Sequence, residues 1–194
     1  AAVEETRKPY MVVNGDTLDL YMDEITVDTS AAGEAGEEQE VYRASRTRQF
    51  DLLHTDLEIS FNWQKQTAEG KALLTLKPYF YPSRQVEIDA QAMDIFKVAL
   101  VQAKDTQELI YDYDKRVINI SLNKEYSRHE TFKLFIHYRA NPNEVNNEGS
   151  EAITGAKGLY FINPLGTEKK PRQLWTQGET QSTSCWMPTI DAPN

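Results

Sequence analysis

The chain has almost no sulfur chemistry to draw on: one of its 194 residues is cysteine, Cys185. A single thiol excludes an intrachain disulfide and any multi-cysteine zinc knuckle. It suits a reducing compartment and an unbridged exported protein equally well. Long apolar runs are missing too. No stretch approaches the roughly 18 consecutive apolar residues of a membrane-spanning helix, so no membrane span is expected. The opening Ala1-Ala2-Val3-Glu4-Glu5 has neither the basic nor the apolar region of a signal peptide. The lack of an initiator Met points to a chain that was processed or trimmed. There is no G-x-S-x-G nucleophile elbow and no glycine-rich phosphate loop. Extended basic patches are also lacking. Lys169-Lys170-Pro171-Arg172 is too short to track a polyanion and reads as a solvated loop, so nucleic-acid binding is disfavoured.

What is present is a globular balance, 40% hydrophobic and 26% charged. The net charge of −9 is unevenly spread. Residues 1–42 carry eleven acidic and two basic side chains, whereas residues 43–194 carry nineteen of each and are neutral. The sequence therefore divides into an acidic N-terminal arm, residues 1–42, and a domain, residues 43–194. Within the arm, Ser30 to Glu38 is small, acidic and free of aromatics, a linker composition. Tyr10 to Val13 and Leu18 to Ile25 are apolar enough to pack somewhere.

From Arg43 onward the hydrophobic period is two. Leu57, Ile59, Phe61 and Trp63 alternate with Glu58, Ser60 and Asn62, which predicts a strand with one buried face. Gln66 to Gly70 reads as a turn and Lys71 to Leu76 as the returning strand. Pro78 and Pro82 bracket Tyr79-Phe80-Tyr81 and suggest a strand end or edge, since proline donates no ladder hydrogen bond. Further strands are expected at Val86–Ala90, Ile95–Val101, Leu109–Tyr113, Val117–Leu122 and Phe132–Tyr138, with Asp114-Lys115-Arg116 a tight connection. Residues 139–157 read as a long polar loop, and order returns at Gly158–Ile162 before a turn at Asn163–Gly166. No window carries a helical stripe. Short strands at this spacing argue for an all-β fold, a large, mostly antiparallel saddle-like sheet or sandwich.

A catalytic zinc needs about three protein ligands, often two from one helix at i and i+4. The histidines are His54, His129 and His137. His129-Glu130-Thr131-Phe132-Lys133 opens like H-E-x-x-H but puts an ammonium in the second ligand position, and it runs into a strand. All three histidines read as surface or structural residues, and Cys185 as a core residue with no partner base nearby.

The segment Trp175 to Asn194 is different. It sets two tryptophans and two prolines around isolated carboxylates, the composition of a ligand-facing loop. Its Thr176-Gln177-Gly178-Glu179, followed by Trp186-Met187-Pro188-Thr189-Ile190-Asp191-Ala192-Pro193, resembles the T-Q-x-E and P-C-x-D-x-P-like elements that end the N-terminal domain in zinc aminopeptidases of the aminopeptidase N and leukotriene-hydrolase group. Lys157-Gly158-Leu159-Tyr160 is similar to that family's x-G-L-Y strand, and His54 to Ile59 to its first strand. The similarity spans residues 50–194, while residues 1–42 match nothing in it.

The resemblance implies a non-catalytic β domain abutting a thermolysin-like catalytic domain of the same polypeptide. It implies zinc in the intact enzyme but no cofactor in this chain, which on its own is expected to be inactive. It also implies that Glu179 helps hold the free α-amine of a peptide substrate's N-terminus, with Gln177 shaping the same pocket. Asp191 is expected to brace its loop through backbone N–H groups, and Trp186 and Pro188 to pack at the domain junction. Two other readings stay open. One is a scaffold or protein-binding β domain; the other is a carbohydrate-binding sandwich using Tyr79, Phe80 and Tyr81. Location is open between the cell envelope, export and the cytoplasm.

Overall fold

The alternation of apolar and polar residues is realised as strands almost throughout. The computed structural model describes residues 10–13, 16–19, 47–102, 105–145, 156–179 and 181–191. The chain falls into two units, Ala1–Tyr42 and Arg43–Asn194. In the first, β1 (Tyr10–Val13) pairs antiparallel with β2 (Asp16–Asp19), Tyr10 opposite Asp19. The linker-like Ser30 to Glu38 lies outside the described residues.

The second unit is built on two antiparallel sheets. The five-stranded sheet has the order β3-β4-β10-β6-β7, from β3 (Phe50–Asn62), β4 (Thr67–Pro78), β6 (Met93–Val101), β7 (Thr106–Glu108) and β10 (Phe132–Ala140). The three-stranded sheet has the order β5-β9-β8, from β5 (Ser83–Asp89), β8 (Tyr111–Tyr113) and β9 (Val117–Tyr126). A separate hairpin joins β11 (Leu159–Ile162) to β12 (Gln173–Thr176). The helical segments among the described residues are two 3-10 turns, Pro142–Glu144 and Thr183–Cys185.

One apolar cluster draws on both sheets. Leu74, Leu76, Leu134, Ile136 and Tyr138 come from β4 and β10; Val86, Ile88, Ile118, Ile120 and Leu122 come from β5 and β9. Each fully buried side chain of this size contributes about 1.5–3 kcal/mol of transfer free energy. Because the period is two, these residues could not exchange faces without turning every charged neighbour inward. The all-β, antiparallel architecture is the one the alternation predicts.

Three local expectations are corrected. The turn after β3 is Trp63–Gln66, not Gln66–Gly70, of which Thr67 to Gly70 lie inside β4. Ala68 and Gly70 are buried sheet residues, and Gly70 has no room for a side chain because Tyr138 stands over it on the adjacent β10. Leu109–Tyr113 is not one strand. Leu109 N–H still bonds Val98 in the first sheet, whereas Ile110 C=O accepts Ser121 N–H in the second. The chain crosses between sheets there, which leaves Ile110 exposed. The polar loop begins later than residue 139, because Arg139 and Ala140 complete β10 and Asn141 is buried beside them. Its stretch 146–155 lies outside the described residues.

The predicted connection at Asp114–Arg116 is present. Lys115 takes a positive φ of 71°, and the Asp114 carboxylate accepts from Arg116 N–H (2.8 Å) and Val117 N–H (2.7 Å). Side chains of this kind satisfy the turn's own backbone, which is why Asp recurs there.

Candidate functional site

Gly158 starts the site. Its φ of +68° is in the left-handed region, and a Cβ on it would collide with the Ser182 carbonyl and meet the Cys185 and Trp186 side chains at 3.0 Å. Only glycine satisfies both demands. Its carbonyl accepts Gln177 N–H at 2.8 Å, which carries the β11–β12 pairing one residue beyond Thr176 and fixes where the following loop departs.

The loop leaves with Gly178 and Glu179 and returns through the 3-10 turn Thr183–Cys185. A Cβ on Gly178 would stand 2.8 Å from Thr183 Oγ1, so the two limbs touch. Ser182 N–H donates to Gly178 C=O at 3.3 Å. Past the turn, Thr189 and Asp89 exchange backbone hydrogen bonds of 3.0 and 2.7 Å. Asp191 accepts Ser184 N–H at 2.8 Å through Oδ2, and its own N–H donates to Asp89 Oδ2 at 2.9 Å. Asp191 therefore braces the loop through backbone N–H groups, as its place in the motif suggests. The Tyr138 hydroxyl donates to the Trp186 carbonyl at 3.0 Å; Trp186 packs against the core, and Pro188 and Cys185 are buried.

Gln177 and Glu179 sit on this braced loop, both exposed, with Gln177 Nε2 donating to Glu179 Oε2 at 3.3 Å. The pair presents a carboxylate and, on the same side chain that holds it, a carboxamide oxygen. Both are acceptors, the complement of a group that only donates.

The histidines are dispersed. His54 lies 3.1 Å from Asp56 and His137 lies 3.0 Å from Glu69, in different strands. His129 is exposed in the turn between β9 and β10. Its neighbour Glu130 closes that turn, accepting Ser127 N–H at 2.9 Å and the Lys124 ammonium at 2.5 Å. The Lys124 hydrogen bond, and then those of Ser127, pull the Glu130 carboxyl down to about 2. Among the described residues no group of three or more His, Cys, Asp or Glu side chains could hold a metal ion. The residues present here do not fit a zinc centre, and no chemical step in this chain is assigned to one. No helix among them is long and apolar enough to cross a membrane.

Tyr79, Phe80 and Tyr81 are exposed. Their rings meet at 80° and 42°, so they do not form the coplanar platform on which a sugar would stack.

Residues 51–194 match the family model of the peptidase M1 N-terminal domain, and the chain belongs to that family. Among solved structures, the M1 zinc metallopeptidase from Deinococcus radiodurans is similar over 79% of this chain and 32% of its own, at 16% identity and a TM-score of 0.58. A variant of that enzyme solved with a Tyr-Ser-Ala substrate gives the same figures. Leukotriene A4 hydrolase from Saccharomyces cerevisiae is similar over 81% of this chain and 24% of its own, at 18% identity and a TM-score of 0.53. At these identities the likeness is one of fold. The chain spans about a third or less of the length of these enzymes. Comparison with curated protein sequences gave no match.

Reading the sequence alone does not find Asp89, Gln91 or the spatial role of Gly158. Asp89 ends β5 and Gln91 lies in the β5–β6 connection, both about ninety to a hundred positions from the loop they hydrogen-bond, and no spacing rule joins the two.

Proposed function

We propose that this domain is the non-catalytic N-terminal part of a zinc aminopeptidase and supplies one wall of the site that captures a peptide's free N-terminus. In this reading the same polypeptide carries a catalytic domain that holds the zinc, and the metal supplies the Lewis acid for amide hydrolysis. The residues of this chain do the recognising. The Glu179 carboxylate takes the substrate α-ammonium in a charge-assisted hydrogen bond. Gln177 holds that carboxylate through Nε2 and turns Oε1 toward a second ammonium proton. Fixing the terminal amine sets the register of the chain and so decides which peptide bond lies at the reactive centre.

The observation that carries this reading is the Gln177–Glu179 contact of 3.3 Å, exposed on a loop that is braced from both limbs. It falls inside the segment that matches the M1 N-terminal family. The solved Deinococcus relative with a Tyr-Ser-Ala substrate is in keeping with a peptide ligand.

The test is Glu179→Gln in the full-length polypeptide, assayed on aminoacyl anilides. Losing one hydrogen bond to a charged group corresponds to roughly 1.5–3 kcal/mol. A rise of about tenfold or more in KM is expected, with the zinc content unchanged. Kinetics equal to those of the unmodified protein would remove Glu179 from the site.

A further inference from the structure

Glu179 is held at the end of a loop whose first limb is tied by Gly158 and whose second limb is tied from elsewhere in the fold. The second tie comes from the β5–β6 connection. Gln91 N–H donates to Ser184 C=O at 2.7 Å. The Gln91 carboxamide Nε2 donates to Ser184 Oγ at 2.9 Å and to Gln181 C=O at 3.3 Å, and Ser184 Oγ–H donates to the same Gln181 carbonyl at 3.0 Å. One carboxamide thus spans both ends of the stretch 181–184, the return limb of the Glu179 loop. Gln181 itself takes a φ of +70°, a conformation a non-glycine residue keeps only where its surroundings hold it.

Gln91 is well anchored for this task. Ala92 beside it has a φ of 50°. Ala92 N–H donates to Lys115 C=O at 2.9 Å and Ala92 C=O accepts Asn141 N–H at 3.1 Å, so the connection is sewn to both neighbouring turns. The loop therefore reports its position to the rigid sheet, not to solvent.

We propose that Gln91 is a positioning residue for substrate-amine recognition, setting the height and direction of Glu179 through Gln181 and Ser184 without touching the substrate. The inference rests on the amine-binding reading of Glu179. It assigns to the β5–β6 connection a share in affinity for the peptide N-terminus that its distance along the chain conceals. A misplaced carboxylate keeps its charge but loses the directed hydrogen bond, so the effect falls on binding of the free amine and not on the chemical step.

The experiment compares Gln91→Ala, Gln91→Glu and Glu179→Gln, and the double variant Gln91→Ala with Glu179→Gln, in the full-length polypeptide. The readouts are KM and kcat on an aminoacyl anilide. The rate of Cys185 modification by a thiol reagent in the folded chain serves as the measure of loop docking. Gln91→Ala and the isosteric Gln91→Glu, which has no side-chain N–H to donate, are expected to raise KM roughly threefold to tenfold, with kcat within about twofold. In the Glu179→Gln background, Gln91→Ala is expected to add nothing further, because residues that act through one another are not additive.

If Glu179→Gln raises KM and Gln91→Ala does not, the positioning role is overturned and the amine reading stands. If Gln91→Ala raises KM equally in both backgrounds, it acts by another route and the role is likewise overturned. If Glu179→Gln leaves KM unchanged, the amine reading fails and takes this inference with it. Fast Cys185 modification together with a fall in kcat marks general loosening of the domain and overturns the proposal as well.

Discussion

The ring of Tyr138 occupies the space that a side chain on Gly70 would need. The two residues are register partners on β10 and β4, and a Cβ at Gly70 would overlap the Tyr138 ring. Both are buried, and the Tyr138 hydroxyl reaches past Gly70 to the Trp186 carbonyl. Gly70 is thus a packing residue, which lets a large ring on one strand link the core to the candidate site. Overpacking a closed core costs about 1–3 kcal/mol. Gly70→Ala is expected to lower stability by at least that much in urea unfolding, with little change in slope. Combining it with Tyr138→Leu should cost less than the sum of the two single changes. Strict additivity would show that the ring does not set the requirement for glycine.

Asp191 connects three parts of the chain through one side chain and one N–H, accepting from Ser184 and donating to Asp89. Asp191→Ala leaves the buried Ser184 amide without its acceptor, a loss of about 1–3 kcal/mol. Asp191→Asn keeps an oxygen in place and should cost less. Chemical unfolding separates the two, and equal losses would mean that the carboxylate's shape contributes nothing.

The strands were legible because alternation is a local signal. Leu57, Ile59 and Phe61, and likewise Phe132, Leu134, Ile136 and Tyr138, fall on one face of their strand whatever the rest of the chain does. Gly70 reads as part of a turn because Thr-Ala-Glu-Gly carries turn chemistry, while the reason for the glycine lies on a strand 68 positions away. The crossing at Leu109–Ile110 was hidden for a similar reason. Both residues are apolar, and only the sheet assignment of their backbone partners tells the buried one from the exposed one. Gln177 and Glu179 could be singled out through the T-Q-x-E pattern alone. Gln91 and Asp89, which hydrogen-bond the stretch 181–191, carry no pattern, since a hydrogen bond across about ninety positions leaves no spacing to read.

Cys185 has no exposed surface, being enclosed by the Gly158 backbone and the turn it belongs to. A thiol with no exposed surface reacts slowly, because a reagent cannot reach it until the loop opens. The folded chain is expected to react with an aromatic disulfide reagent orders of magnitude more slowly than the urea-unfolded chain. Gly158→Ala, which forces the Ser182 carbonyl away, should speed the reaction before global unfolding begins. A thiol as reactive in the native protein as in the unfolded one would contradict the packing of this loop.

The domain's pH dependence has a determined sign on each side. Among the described residues three carboxylates have lowered pKa values. Asp94 is held down first by Asn141 and then by Lys115, Asp114 by the N–H groups of Val117 and Arg116, and Glu130, at about 2, by Lys124 and Ser127. A carboxylate whose folded value lies below its unfolded one contributes stability above the unfolded value, near 4, and loses it as pH falls toward the folded value. The urea midpoint should therefore be flat near neutrality and fall between about pH 4 and pH 2, and Asp114→Asn should make that fall shallower. On the alkaline side, burial pushes Tyr113 up to about 12, and burial raises Tyr138 as well. For a phenol the sign is opposite: stability is complete below the unfolded value near 10 and is lost as pH rises toward the folded value. Phenolate absorbance should accordingly show an early component from exposed tyrosines and a late one that coincides with loss of the β-sheet circular dichroism signal. A single early transition with the sheet intact would show that Tyr113 and Tyr138 are accessible to solvent.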